Sequence, residues 1–367
     1  MRIGILSYPL NNNYGCYLQA YALLTTLRRM GHEVTYIHRR HNVPGIGVRL
    51  KYFVKTIISN LRHLEWENPV YRYEWLYMQQ KGEAMIPFFE KYIPHTEAIY
   101  TSKELKGKCQ GFDALVVGSD QVWRAGLLHH IEDYFLEFLG EKNTIRISYA
   151  ASFGKRDAGY TPAEIERCGQ LIRRFRAVSV RESMGLEMLH DFGWSCEDAK
   201  VVLDPTLLLD KNDYIQVAEQ SDKHESLFCY ILDSTDDTTS VIREVSEQLN
   251  MPPEDILKGR KAKSYRYKSV GYWLGCFCRA SFVVTDSFHG TVFSIIFNVP
   301  FVVVSNSSRG TDRIVSLLRM VNLEDRIYSG IGNLSKQLSV RIDWGNVNKT
   351  IESEKLKSLS FLKAALS

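Results

Sequence analysis

The stretch SFVVTDSFHGTVFSIIFNVPFVVV, residues 281–304, sets two apolar runs around one polar knot, Thr285-Asp286-Ser287-Phe288-His289-Gly290-Thr291. The runs SFVVT and PFVVV are short and rich in β-branched residues, without polar alternation. That is the pattern of strands buried on both faces of a parallel sheet. The segment between them, TVFSIIF, is nearly all apolar and reads as a buried helix. Strand, helix and strand with short connections make a unit of a parallel α/β sheet.

The same unit recurs outward from that stretch. RIGILS (2–7) is a strand, YLQAYALLTTLRRMG (17–31) a helix with apolar positions at 18, 22, 23 and 27 and a stop at Gly31, and EVTYIHR (33–39) the next strand. FDALVV (112–117), IRISYAAS (145–152), AVSVRE (177–182) and KVVLDPTLLL (200–209) continue this first series, with a helix from Pro162 to near Phe175. A second series holds SLFCYILD (226–233), a helix over 237–250, a short strand DILKG (255–259), the opening stretch and a helix over 311–323. A final helix over 351–366 has no strand after it and is expected to cross back onto the first domain.

The chain has 367 residues, enough for two domains at roughly 100–200 residues each. The expected fold is α/β, two Rossmann-like domains facing across a cleft. Residues 1–212 form the first, interrupted by a helical insert over about 43–105, residues 213–345 the second, and 346–367 the last helix. Within the insert, VRLKYFVKTIISNLRHL (48–64) is amphipathic and basic. It suits a helical flap packed on the sheet or a peripheral contact with an anionic membrane surface.

A net charge of +4 is too small to argue for nucleic acid, and no nucleic-acid partner is expected. Seven cysteines, odd in number and without paired CxxC spacing, read as free thiols in a reducing cytoplasm. Cys276-x-Cys278 has no second pair nearby, so no metal is expected there. The start, MRIGILSYPL, reads as a strand rather than a signal segment. No run of about 18 uninterrupted apolar residues marks a membrane span. The chain is expected to be cytoplasmic, or at the inner face of the membrane.

Four polar knots directly follow strands: Asn11-Asn12-Asn13-Tyr14-Gly15, Gly118-Ser119-Asp120-Gln121, Arg181-Glu182-Ser183 and the opening one. Asn, Ser and Asp in such places are ordinary helix caps. Together at one edge of the sheets they also mark where open α/β sheets bind ligands, with free N–H groups suited to phosphate or carboxylate. GxGxxG after the first strand and GxxxxGK[ST] are both absent, which argues against dinucleotide and P-loop sites. His289 at a helix start gains nothing from being charged. The dipole there lowers its pKa and favours a neutral base or a donor to an anion. Arg181 ends an apolar strand and needs a bound anion or a distant carboxylate, because strand alternation turns Glu182 to the other face. Arg309 and Arg313 flank Gly310-Thr311-Asp312 after the strand PFVVVSN (300–306) and form a second cationic cluster. Asp120 is placed to orient a hydroxyl or to cap, and Asp286 to orient His289 or to cap. Cys16 is either a small buried residue or a thiol activated by its helix start.

NNNYGCYLQAYALL, FDALVVGSDQVW, ISYAASFG, VSVRESMG, VVLDPTLLL, VTDSFHGTVFSIIFNVPFVVV and RIVSLLRMVNLEDRI, in this order over nearly the whole chain, resemble the polysaccharide pyruvyl transferase family. The resemblance implies a glycosyltransferase-B-like arrangement with the second domain on the donor side and the first, with its insert, on the acceptor side. It implies phosphoenolpyruvate as donor substrate, no separate cofactor and no metal, and a sugar or lipid-linked oligosaccharide as acceptor. The product is a pyruvate ketal on a cell-surface polysaccharide or its precursor. It also implies Arg181 and His289 as donor-binding residues. With the polar knots, the expected site has His289 and Asp120 as catalytic residues and Arg181, Ser287, Gly290, Arg309, Arg313, Asn13, Tyr14 and Ser119 at the substrates. Many members carry Arg two residues before the histidine. Here Ser287 stands in that place, and Arg309 or Arg313 is expected to supply the charge. A similarly shaped glycosyltransferase using a nucleotide sugar, and a non-catalytic protein of glycan assembly, are the alternatives.

Overall fold

A computed structural model of the chain describes residues 1–40, 50, 53–54, 57–58, 61, 81–128, 130–194, 196–220, 226–262, 264–305, 312–328 and 334–367. The strands are β1 (Arg2–Leu6), β2 (Glu33–Tyr36), β3 (Ala114–Val117), β4 (Ile145–Ser148), β5 (Ser179–Val180), β6 (Lys200–Val201), β7 (Ser226–Tyr230), β8 (Pro253–Asp255), β9 (Ala280–Thr285), β10 (Phe301–Val304) and β11 (Ile327–Tyr328). Among the described residues they make a sheet ordered β2-β1-β3-β4, a pair β5-β6, and a second sheet ordered β11-β10-β9-β7-β8. Every pairing is parallel, from Ile3 opposite Ala114 in the first sheet to Phe301 opposite Val283 in the second. Bridges Ile147–Ala177 and Ala151–Val180 attach β5 to the flank of β4.

The helices are α1 (Tyr14–Arg29), α2 (Ile86–Tyr92), α3 (Ser102–Lys108), α4 (Pro162–Ile172), α5 (Ser183–Asp191), α6 (Lys211–Ile215), α7 (Asp236–Leu249), α8 (Val270–Arg279), α9 (Phe288–Phe297), α10 (Asp312–Met320), α11 (Leu334–Ser339) and α12 (Trp344–Leu366). β3, β7 and β10 are buried at every position, which accounts for their unbroken apolar sequences. α9 is buried at nine consecutive-turn positions except Ile296. Its all-round apolarity therefore reflects packing on all sides rather than an amphipathic surface helix.

Several boundaries differ from the sequence reading. Residues 255–259 do not extend as a strand. β8 lies at 253–255 and Leu257 N–H then folds back onto the Asp255 carboxylate (2.9 Å). Within KVVLDPTLLL only Lys200–Val201 is strand, because the Asp204 side chain caps a 3-10 turn at Pro205–Leu208. α5 and α8, the latter in a segment rich in Gly, Cys and aromatics, were not anticipated.

The two units meet through aromatics. Tyr14 at the start of α1 is fully buried, stacks on Trp273 of α8 (centroids 5.4 Å, 13°), and donates its hydroxyl to the Lys268 carbonyl (3.1 Å). Lys81 reaches across in the same way, donating to the carbonyls of Arg260 (3.0 Å) and Ala262 (2.9 Å). α12 returns to the first unit, where Ser358 Oγ accepts from Leu203 N–H (3.0 Å) and Phe361 packs near Tyr149.

Candidate functional site

The segments following β1, β3, β5, β6 and β9 converge at the carboxyl edge of the two sheets, the side on which such sheets hold ligands. Arg181, immediately after β5, is the centre of this convergence and is buried. Its Nη1 donates to Asp204 Oδ2 (2.9 Å), its Nη2 lies 3.8 Å from Asp120 Oδ1, and its Nε 3.6 Å from Glu182 Oε2. The expectation that Glu182 faces away is corrected here. β5 ends at Val180, so the two-residue alternation no longer governs the next side chains. Glu182 also accepts from Ser152 Oγ (2.7 Å). Burial opposes the arginine's charge, yet Asp204, Glu182 and Asp120 outweigh it and hold its pKa above the ordinary value.

Asp204 was not singled out from the sequence, and it organises the site. Its Oδ1 accepts from Thr206 Oγ1 (2.6 Å) and Thr206 N–H (3.0 Å), while Oδ2 takes Arg181 and the Gln19 amide of α1. The segment carrying it is pinned at Leu203, whose carbonyl accepts from Tyr149 Oη (3.0 Å) and whose N–H donates to Ser358 of α12. Burial raises the Asp204 pKa, but Arg181, His289 and the Thr206 hydrogen bond together carry it below the usual value.

His289 enters from the other sheet. Ser287 caps α9, its Oγ accepting from Gly290 N–H (3.4 Å), so His289 sits in the first turn. Its Nε2 is 3.9 Å from Asp204 Oδ2. Its pKa is lowered to about 4, by burial first, with Arg181 and Arg313 adding to the effect against Asp204 and Asp120. The lowered direction agrees with the expectation from the helix start, but its main cause is burial rather than the helix dipole. At neutral pH the imidazole is neutral, and its contact with Asp204 is not an ion pair. Asp286 neither caps α9, which Ser287 does, nor stands free. It accepts from Leu232 N–H (2.6 Å) and Asp233 N–H (2.8 Å) and so ties the end of β7 to the end of β9.

Glycines allow these approaches. A Cβ on Gly15 would overlap the His289 imidazole, and one on Gly290 would overlap Thr285 Oγ1. Ala in a helix is worth up to about 1 kcal/mol over Gly, whereas forcing a side chain into a packed interior costs about 1–3 kcal/mol. Gly15→Ala is therefore expected to lower the urea midpoint and to displace His289. An unchanged midpoint together with unchanged ligand binding would show that the imidazole has room to move.

Phe288 joins the cations. The Arg181 guanidinium carbon lies 4.5 Å from its ring centroid and that of Arg313, half-buried in the first turn of α10, lies 6.0 Å from it. The Arg313 pKa is lowered to about 10, by burial and then by Arg181, and it remains a cation at neutral pH. Arg309 lies outside the described residues.

The other expected site residues are placed as follows. Asp120, at φ +71°, adopts the left-handed conformation that Asp tolerates better than most residues. Its carboxylate accepts from Gln121 N–H (2.9 Å) and from the Cys16 thiol (3.2 Å), and a 3-10 turn rather than an α-helix follows. Cys16 is buried, and burial with the adjacent Asp120 pushes its thiol pKa well up, so it is not the activated thiol. Ser119 is interior: its Oγ donates to Ala150 O (3.1 Å) and accepts from Gln19 Nε2 (3.1 Å). Asn13 caps α1, accepting from Gly15 N–H (3.0 Å). Tyr14 belongs to the junction between units rather than to an open surface.

Arg181 Nε and Nη2, His289 Nε2 and Glu182 Oε2 are buried without a hydrogen-bond partner among the described residues. Buried polar atoms are nearly always bonded, so four such atoms on three adjacent side chains, facing carboxylates only at 3.6–3.9 Å where any are near, single this place out as the candidate site for a polar ligand. Two guanidiniums, an aromatic face and a neutral imidazole can hold a carboxylate or phosphate and move one proton.

The model of the family described as Polysaccharide pyruvyl transferase matches residues 13–308. Among curated proteins no match is found. A glycosyltransferase from Rickettsia africae has the same fold, at 9% identity and a TM-score of 0.52, the alignment covering 98% of this chain and 93% of that one. The UDP-GlcNAc 2-epimerase of Methanocaldococcus jannaschii, in complex with UDP-GlcNAc and UDP, is similar at 14% identity and a TM-score of 0.47, with 97% and 93% covered. The two parallel sheets and the likeness to the Rickettsia africae glycosyltransferase make the architecture two Rossmann-like units in a glycosyltransferase-B-like arrangement.

Proposed function

This chain belongs to the polysaccharide pyruvyl transferase family, and on that premise we propose that it transfers pyruvate from phosphoenolpyruvate to a sugar diol of a cell-surface polysaccharide or its lipid-linked precursor. The observation that carries this reading is the set of unbonded buried atoms on Arg181 and His289 beside the Arg313 guanidinium. Phosphoenolpyruvate offers a carboxylate and a phosphate, which suit two guanidiniums held against one ring.

The imidazole of His289, neutral when free and raised in pKa by the anionic donor beside it, relays the proton of the first sugar hydroxyl to the methylene carbon. The C=C electron pair forms the new C–H bond of the methyl group as the hydroxyl oxygen bonds to the electron-poor C2. The second hydroxyl then attacks C2, the C2–O bond to phosphate breaks, and its proton leaves with hydrogen phosphate. Asp120 orients the acceptor hydroxyl, and Ser287 and Gly290 shape the turn that presents His289. The donor is a substrate, and no further cofactor takes part. Free cysteines suit a reducing cytoplasm, where we place the reaction. Among the described residues no helix is long and apolar enough to cross a membrane.

Arg313 takes the place of the charge that Ser287 lacks. In calorimetric titration Arg313→Ala is expected to weaken phosphoenolpyruvate binding by roughly 1.5–3 kcal/mol, the worth of a hydrogen bond to a charged group, with UDP-sugars binding far more weakly than phosphoenolpyruvate to the wild type. Equal donor affinity in the variant would remove Arg313 from the site. Binding of a nucleotide sugar and none of phosphoenolpyruvate would favour the glycosyltransferase alternative.

A further inference from the structure

We propose that the apolar stripe Leu50, Phe53, Val54, Ile57, Ile58 and Leu61 is a docking surface for an anionic lipid bilayer. Leu50, Phe53, Val54, Ile58 and Leu61 are helical and 62%, 38%, 48%, 46% and 72% exposed. Half-buried Ile57 falls among them. Spacings of three and four residues set all six on one stripe of a helix. A stripe of this kind ordinarily packs on a core, and an exposed one marks a partner. These side chains are too exposed to be a flap packed on the sheet.

The charge carried by this part of the sequence selects the partner. Between residues 48 and 64 the sequence has Arg49, Lys51, Lys55 and Arg62 and no Asp or Glu. A second copy would bring like charges together, whereas an anionic headgroup layer takes both the basic residues and the apolar stripe.

The topology gives the contact a purpose. The insert leaves the first sheet at the carboxyl end of β2, which runs parallel to β1 and β3. That is the edge that carries Asp120 and Arg181. Farther along the insert, Lys81 anchors on the second unit through the Arg260 and Ala262 carbonyls. The insert that carries the stripe thus starts from the edge of the candidate site, where a lipid-linked acceptor would have to arrive. Lipid docking can hold or fail whatever the donor is, so its test is separate from that of pyruvyl transfer.

The test is flotation of the full-length protein with phosphatidylcholine vesicles and with vesicles containing phosphatidylglycerol, at low and high salt. The wild type is expected to float with the anionic vesicles at least about tenfold more than with the neutral ones at low salt, and less at high salt. Phe53→Glu with Ile58→Glu is expected to abolish flotation with circular dichroism unchanged, and Lys51→Glu with Lys55→Glu to remove the anionic preference. Absence of wild-type flotation on anionic vesicles overturns the proposal, as does equal flotation of the Phe53→Glu/Ile58→Glu variant. Self-association in sedimentation that the same pair abolishes, without vesicle binding, assigns the stripe to a second copy and overturns it too.

Discussion

A His289→Gln variant is expected to lose about 10²–10⁴ in kcat for pyruvyl transfer, the usual worth of a positioned acid–base group, while keeping its fold. Gln fills a similar volume against Gly15 but cannot take up the hydroxyl proton. The same variant separates a catalytic histidine from a structural one through its pH dependence. The His289 pKa falls from 6.5 in the unfolded chain to about 4 in the folded one. Between those values the unfolded state binds a proton that the folded state does not. The stability of the wild type is therefore full above about pH 6.5 and declines as pH falls toward 4, by about 3 kcal/mol from this group. Urea titrations from pH 7 to pH 4 should show that decline flattened in His289→Gln. An active variant with the pH dependence flattened would mean a buried histidine that does no chemistry.

Asp204→Ala is expected to cost about 3–5 kcal/mol of stability, because it leaves the buried Arg181 guanidinium without its closest carboxylate. Asp204→Asn should cost less, since it keeps an acceptor. The sign with pH is the same as that of His289. The Asp204 pKa is lowered in the folded state, so its contribution is present above the unfolded pKa and is lost as pH falls through the folded one. Replacing both partners, Arg181→Met with Asp204→Leu, should recover much of the stability and none of the activity. If Asp204→Ala unfolds at the wild-type urea concentration at neutral pH, Arg181 is held by something other than this ion pair.

Much of this was legible in the residues. Uninterrupted Val, Ile and Phe runs predicted parallel strands, and the polar knots after them predicted the edge at which Arg181, Asp120 and His289 come together. Arg181 and His289 stood out because each is a charged or titratable group where a strand gives way to a turn. Asp204 carried a weaker signal of the same kind, a lone acid inside KVVLDPTLLL. An acid in such a run has to meet a buried cation, but its partner is set by the tertiary fold. Gln19 was hidden among apolar neighbours on α1 for the same reason. Tyr14 was read as ligand-facing because its partners Trp273 and Tyr267 come from the other unit, and no local periodicity records a contact over that separation. Glu182 was misplaced because strand alternation was carried two residues past the point where β5 ends.

The most direct test of the central claim is a crystal structure of the protein soaked with phosphoenolpyruvate. The account predicts the donor's carboxylate and phosphate on the Arg181 and Arg313 guanidiniums beside Phe288, with C2 and the methylene within reach of His289 Nε2. A donor bound well away from Arg181 and His289 would contradict it.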